Sequence, residues 1–266
     1  LLAGLAVLEA GTSFGQKPLV LEGHENVVSA IAFSGDGKQI FSASWDKTVR
    51  VWDTSAGRQE ALLEGHTDWV FDLCLLSNSD GTGVRSASQN ELLQWSPAFR
   101  RTVQQTDVGG ATVNSATFSP DGKWLAIGGR NGFVRVRSAE KESVPIELGG
   151  FRSWVSDLCF TPDGKAIAAG TRTGTVRILE LPSGKERHRF EAHKGKQVLA
   201  MSISPDGNTL ATGGFEQTAR LWSLESGKQI AELSGHRGVV TAVTWSNDGR
   251  LLATGERHGS FHVWDT

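Results

Sequence analysis

One local signal recurs along this 266-residue chain at a nearly constant interval. Asp-Gly stands at 36–37, 80–81, 121–122, 163–164, 206–207 and 248–249, with gaps of 44, 41, 42, 43 and 42 residues. A fixed period of that length means that each unit is one supersecondary block, which buries its faces on its neighbours. Ahead of each turn runs an apolar segment such as VVSAIAF (27–33), WVFDLCL (69–75), WVSDLCF (154–160) or VVTAVTW (239–245), and behind it another such as LAIGG (125–129) or LATGG (210–214). Both read as buried strands. A third segment, as in TVRVWD (48–53), TVRILE (175–180) and TARLWS (218–223), alternates polar with apolar residues and reads as a half-buried strand. A fourth, more polar one follows, as in RQEALLE (58–64) and KQIAELS (228–234). The expectation is an all-β chain of six units with four strands each.

Composition agrees and narrows the function. The 32 glycines and 9 tryptophans, without a tyrosine, suit many tight turns around bulky buried anchors. With 27 Lys and Arg against 29 Asp and Glu, the net charge of −2 gives no general attraction to phosphate backbones or anionic membranes. No nucleic-acid partner and no membrane insertion are therefore expected. Cys74 and Cys159 sit in the same Asp-Leu-Cys context two units apart, which reads as small core residues and not a disulfide or zinc pair. Leu1–Leu8 (LLAGLAVL), followed by Ser13-Phe14-Gly15, reads as the end of a signal-peptide h-region with a small-x-small cleavage site. On that reading 1–15 is a signal-peptide remnant and the chain is exported, periplasmic or extracellular. The alternatives are a disordered tail and a cytoplasmic protein.

Gly-His at 23–24, 65–66 and 235–236, with Trp-Asp at 52–53 and 264–265 and an Asp-Gly turn between, is where the chain resembles the WD-repeat β-propeller family. The resemblance covers residues 16–266. It implies a β-propeller of four-stranded antiparallel blades, six repeats being visible. It also implies that KPLVLE (17–22) supplies the outer strand of the last blade, so that the N-terminal strand closes the propeller and removes an open edge. Seven blades, the commonest count in the family, would need another repeat beyond one terminus. The third and fourth repeats depart from the pattern, with Gly109-Gly110 and Arg137 in one, and Phe151 and Leu179 in the other, at the His and Trp positions.

In the family a His, a Ser or Thr, an Asp and the Trp form a buried hydrogen-bonded set, and His24, Ser42, Asp46 and Trp52 match it here. Its role is structural, because each buried polar group finds a partner. His193, Thr212, Glu216 and Trp222 form a variant, and His236, Thr254, His258 and Trp264 another. Other matches fail on context. Gly11-Thr12-Ser13-Phe14-Gly15 fits G-x-S-x-G without a strand-to-helix elbow, and His258 and His262 share a face only on a helix, where this segment reads as turn and strand. No catalytic residue, cofactor or metal is assigned, and the chain is not read as an enzyme. Asp72 and Asp157 alone titrate among the first strands that would line a central channel.

The resemblance also implies which face meets partners: residues leading into each first strand and the turn after each second strand. By register these include Val27 and Ser29, Trp69 and Phe71, Thr112 and Asn114, Trp154 and Ser156, with Trp45, Gln89, Arg130, Arg172, Phe215 and Arg257 at the turns. Aromatics and arginines dominate protein interfaces, and Trp45, Trp69, Phe71, Arg130, Trp154, Arg172, Phe215 and Arg257 supply both without an acid among them. The expectation is a monomeric, non-catalytic scaffold that binds an acidic or aromatic-bearing peptide or protein segment on this face. Two alternatives are a propeller with an active centre or cofactor in its channel, and the binding domain of a longer exported protein.

Overall fold

The computed structural model describes residues 20–34, 36–78, 81–89, 91–95, 101–105, 112–139, 144–257 and 259–266. Every regular element among them is a strand. The first sheet holds β1 (Val28–Phe33), β2 (Gln39–Ser44), β3 (Thr48–Asp53) and β4 (Arg58–Glu64), and the second β5 (Val70–Asn78), β6 (Gly81–Ser88), β7 (Glu91–Trp95) and β8 (Arg101–Gln105). The third holds β9 (Val113–Phe118), β10 (Trp124–Gly129), β11 (Val134–Ser138) and β12 (Ile146–Leu148). The fourth holds β13 (Val155–Phe160), β14 (Ala166–Thr171), β15 (Thr175–Glu180) and β16 (Glu186–Glu191). The fifth holds β17 (Val198–Ile203), β18 (Thr209–Gly214), β19 (Ala219–Ser223) and β20 (Gln229–Leu233), and the last β21 (Val240–Trp245), β22 (Leu251–Glu256) and β23 (Phe261–Asp265). Strands follow one another in chain order and every pair is antiparallel, so each sheet is a meander and one blade of a β-propeller.

The last sheet has three strands among the described residues. Of the 17–22 segment expected to add its fourth, 17–19 lie outside the described residues and 20–22 carry no strand. Residues 1–15, with the leader and Ser13, also lie outside them, as do Gly109-Gly110 and His258. The sheets group into two compact units, residues 1–108 with the first two and 109–266 with the last four.

The repeated Asp-Gly marks a turn whose chemistry is local. In the fourth sheet Asp163 Oδ1 accepts from Thr161 Oγ1 at 2.6 Å and from the Lys165 amide at 3.0 Å, while Thr161 Oγ1 accepts the Ala166 amide at 3.0 Å. Gly164 takes φ +67° there, which a side chain would oppose. Ser34-Asp36, Ser119-Asp121, Ser204-Asp206 and Ser246-Asp248 repeat the arrangement. In all five the hydroxyl donor holds the aspartate below its usual range.

The core lies between successive sheets of a unit. Phe41, Val49, Val51 and Leu63 pack with Val70, Leu73, Val84 and Trp95 in the first unit. In the second, Val134 and Val136 meet Leu158, Phe160 and Ile167, and Ala168, Val176 and Ile178 meet Val198, Met201 and Leu210. Cys159 packs against this last cluster, and burial pushes its thiol well above the ordinary range.

Each first strand carries an irregularity at the same place, which skips Ser29, Phe71, Asn114, Ser156, Leu199 and Thr241. A bulge turns the extra residue out of the ladder and re-aims its side chain. Ser29 Oγ thereby donates to Val70 O, and Ser156 Oγ to Val198 O, both at 2.6 Å, and Asn114 Nδ2 donates to Val155 O at 3.1 Å. These positions were expected on the contact face; three of them instead tie one sheet to the next.

Candidate docking face at the turn residues

Inside the first sheet the polar set of His24, Ser42, Asp46 and Trp52 forms one chain of donors. The Trp52 indole N–H donates to Ser42 Oγ at 2.8 Å, Ser42 lies 2.7 Å from His24 Nε2, and His24 Nδ1 lies 2.7 Å from Asp46 Oδ2. With the indole able only to donate and the carboxylate only to accept, the direction is settled: Ser42 donates to Nε2, and Nδ1–H donates to Asp46. Burial lowers the basicity of His24, while the Asp46 carboxylate opposes that. Burial alone would raise Asp46, yet donors from Thr48, His24 and the Glu25 amide hold it at about 2.

The second sheet has a set that the residue pattern did not reveal. His66 Nε2 lies 2.7 Å from Ser86 Oγ, which accepts from Trp95 Nε1 at 3.0 Å, with Glu91 Oε2 3.4 Å from His66 Nδ1. Gly65-His66 signalled its start, but the carboxylate comes five residues after the serine, against four in the first sheet, and is one methylene longer. In the fifth sheet Thr212 Oγ1 joins His193 Nε2 at 3.2 Å and Trp222 Nε1 at 3.1 Å, and Glu216 pairs with Arg220. In the sixth, Thr254 joins His236 and Trp264, while Glu256 accepts from His262 Nε2 at 3.0 Å and from the Arg237 amide at 3.1 Å. Glu256, on β22, is therefore the carboxylate seen at that corner.

The fourth sheet replaces the whole set by carbon. Phe151, Ala169 and Leu179 occupy the His, Ser and Trp positions and pack in one buried cluster. Such networks are favourable complete and costly when partial, so they are lost together. Asp157, the expected channel residue, accepts the Met201 amide of the next sheet at 2.6 Å and acts as a cross-link.

These frames position the turn residues. Trp45 N donates to Val27 O at 2.9 Å, Arg130 N to Thr112 O at 3.1 Å, Arg172 N to Trp154 O at 2.9 Å and Arg257 N to Val239 O at 3.0 Å. These four turns after a second strand are thereby pinned to the residue leading into the first strand of their own sheet. In the first unit Trp69 stacks on Trp45, with ring centroids 4.7 Å apart and planes at 8°. In the second unit the Trp154 ring carries Arg130 at 4.9 Å and Arg172 at 4.4 Å. Trp69 is 41% exposed, Trp154 37% and Phe215 39%. Phe71 is half-buried at its bulge, and Arg257 is exposed at its turn. Among the described residues no ring or ion contact joins Phe215 or Arg257 to the Trp154 cluster. No three His, Cys, Asp or Glu side chains among them come together as metal ligands. No helix among them is long and apolar enough to cross a membrane.

The WD domain, G-beta repeat family matches residues 15–53, 102–138, 184–223 and 227–265, more than half of the chain. The chain belongs to the WD-repeat family. A second WD40 family, that of anaphase-promoting complex subunit 4, matches 149–201, the stretch whose polar set is replaced by carbon. Among curated WD-repeat relatives, THO complex subunit 3 of Arabidopsis thaliana is 24% identical over 65% of this chain and 55% of its own length. Intraflagellar transport protein 122 homolog of Xenopus tropicalis is 32% identical over 59% of this chain and 13% of its own length. Small ribosomal subunit protein RACK1 of Neurospora crassa is 28% identical over 46% of this chain and 52% of its own length. The chain thus spans about half the length of some relatives and a small part of others. WD-repeat propellers are typically protein-interaction scaffolds.

Proposed function

We propose that this WD-repeat chain is a non-catalytic scaffold that docks a peptide or protein segment on the face built by its turn residues. The observation that carries the reading is Trp154, an indole more than a third exposed and held flat by two guanidiniums. An exposed large aromatic is costly to leave in water, and one already fixed in place loses little entropy when a partner covers it. Arg130 and Arg172 keep outward N–H donors for carboxylates or carbonyls while their planes rest on the ring. In the first unit, by itself, Trp45 and Trp69 form a stacked aromatic pair. In the second, the indole with its two guanidiniums favours a segment with acidic and aromatic side chains.

The test is a peptide array of acidic and aromatic sequences probed with the folded chain, then with Trp154→Ala and Trp69→Ala. Peptides that bind the parent and lose binding in either variant support the face. A full set of binders unchanged by both variants moves the contact elsewhere.

A further inference from the structure

The turn after β14 lacks a charge that the equivalent turns of the first and fifth sheets possess. In the first sheet the turn after β2 places Asp46 beside His24 and Thr48, and in the fifth the equivalent turn places Glu216 against Arg220. In the fourth sheet Thr173 stands in that position, two residues after the end of β14, while Arg177 remains where Arg220 stands. The arginine is kept and the turn carboxylate is gone.

A cavity of about 200 Å³ opens there, lined by Arg152, Ser153, Thr171, Thr173, Arg177 and Arg189, among others. Three arginines line it, and no acid is among its lining residues. Glu186 bridges two of them from the outer strand, pairing with Arg177 and accepting from Arg189 Nη2 at 2.9 Å. Arg177 is further held by Gly149 O at 2.9 Å and by the Phe151 ring at 4.3 Å. Arg152 is exposed, with no ion-pair partner among the described residues. The Ser153 hydroxyl adds a neutral donor, while Thr171 Oγ1 donates to Thr175 O at 3.0 Å and lies 3.2 Å from Thr173 Oγ1.

We propose that this cavity is an oxyanion site for a phosphorylated side chain on the segment that docks against Trp154. The proposal rests on the docking-face reading, which it deepens by naming the ligand chemistry. Three guanidiniums against one carboxylate leave an excess of positive charge, and a phosphate monoester brings close to two negative charges with three acceptor oxygens. A carboxylate has one charge and two oxygens, so it satisfies fewer of these donors. Arg152 and Ser153 immediately precede Trp154, and Thr171 and Thr173 flank Arg172, so the lining of the cavity adjoins the indole and its guanidinium along the chain.

The experiment uses the full chain and three peptide libraries with randomised flanks around a central phosphoserine, glutamate or serine. Retention of the phosphoserine library is expected to exceed that of the serine library by about tenfold or more, as charge-assisted hydrogen bonds would give. Arg152→Ala with Arg189→Ala should bring phosphoserine down to the serine level. Thr173→Asp, which supplies the missing carboxylate internally, should do the same. Both variants are checked for an unchanged thermal transition, and the altered side chains are surface ones. Trp154→Ala should lower retention of all three libraries together. Equal retention of phosphoserine and glutamate, or a phosphoserine preference that survives both cavity variants, overturns the proposal. Retention of all libraries untouched by Trp154→Ala overturns the docking face instead. Saturation of the cavity by inorganic phosphate alone, followed at the Thr173 amide, without retention of the phosphoserine library assigns it to a free ion and also overturns the proposal.

Discussion

Arg172 holds Trp154 twice: its backbone N–H donates to the Trp154 carbonyl at 2.9 Å, and its guanidinium lies 4.4 Å from the centre of the Trp154 ring. The first contact fixes the turn after β14 to the residue leading into β13, and the second fixes the orientation of the exposed indole. Arg130, from the preceding sheet, covers the same ring. The side chain is thus set by two sheets and a hydrogen bond before any partner arrives.

Trp154→Ala should therefore separate binding from folding. The indole is partly in water, so its loss should shift stability by no more than about 1 kcal/mol, whereas truncating a central interface aromatic commonly costs 2 kcal/mol or more, about a thirtyfold loss of affinity. Arg172→Lys keeps the charge and loses the flat stacking surface, so an intermediate loss is expected. Titration of an array-selected peptide against each protein decides it; a Trp154→Ala variant that binds as tightly as the parent sinks the docking face.

The buried polar sets predict that two opposite substitutions, at equivalent positions of two sheets, both destabilise. Ser42→Ala leaves both the Trp52 indole N–H and His24 Nε2 without their shared partner, and should cost about 2 to 3 kcal/mol. Ala169→Ser places a hydroxyl between Phe151 and Leu179, where the position is fully buried among carbon atoms, and should also destabilise, by about 1 to 3 kcal/mol. Serine is right in one sheet and wrong in the other. Urea unfolding of the two variants reads this directly, and a neutral result for Ser42→Ala would remove the network from the list of stabilising features.

What was legible in the residues was what is local. Five of the Asp-Gly turns have a Ser or Thr two residues earlier and close over six residues, and strand order and the unit length followed from that repeat. The aromatic residues and arginines named for the face stand at turns or before first strands, except Phe71, which stands at the bulge of β5. The Trp154 sandwich itself was not legible, because it joins residues 24 and 18 positions away from the indole and depends on which sheet lies beside which. The bulge at Ser29 and Ser156 was missed for a related reason: alternation alone does not show a skipped residue, so these side chains read as surface when they reach the next sheet. The second polar set escaped because a connection one residue shorter from serine to tryptophan, and a Glu in place of Asp, broke the spacing while preserving the contact.

Acid should weaken the fold in two successive windows. Burial, with the Arg220 charge beside it, lowers His193 to about 4. The unfolded chain then binds this proton more readily, so the contribution is fully present above pH about 6.5 and is lost as pH falls toward about 4, up to about 3 kcal/mol. Asp46, held at about 2 by its hydrogen bonds, contributes above the ordinary carboxylate range and loses that contribution as pH falls from about 4 to about 2. Unfolding free energy measured by denaturant at steps of pH should show a first limb that His193→Gln flattens and a second that persists. A first limb unchanged in His193→Gln would place the titration in another group.

Two glycines at similar positive φ should respond very differently to the same substitution. Gly164 sits at φ +67° in the Asp-Gly turn with open space where a Cβ would point, so Gly164→Ala meets only the backbone preference and should cost about 1 to 2 kcal/mol. Gly174, at φ +90° between β14 and β15, would place a Cβ 1.7 Å from the His193 carbonyl oxygen and 2.7 Å from that of Lys196. Those oxygens belong to backbone and cannot swing aside. The Gly174 carbonyl also accepts the amides of Ala192 and His193, so relief by moving the turn would break the hydrogen bonds that position the fifth sheet's buried histidine. Gly174→Ala should accordingly destabilise by about 4 kcal/mol or more, the range reached when strain and lost hydrogen bonds add. Thermal unfolding of the two single variants checks the order, and equal transitions would mean that the loop around His193 yields at little cost.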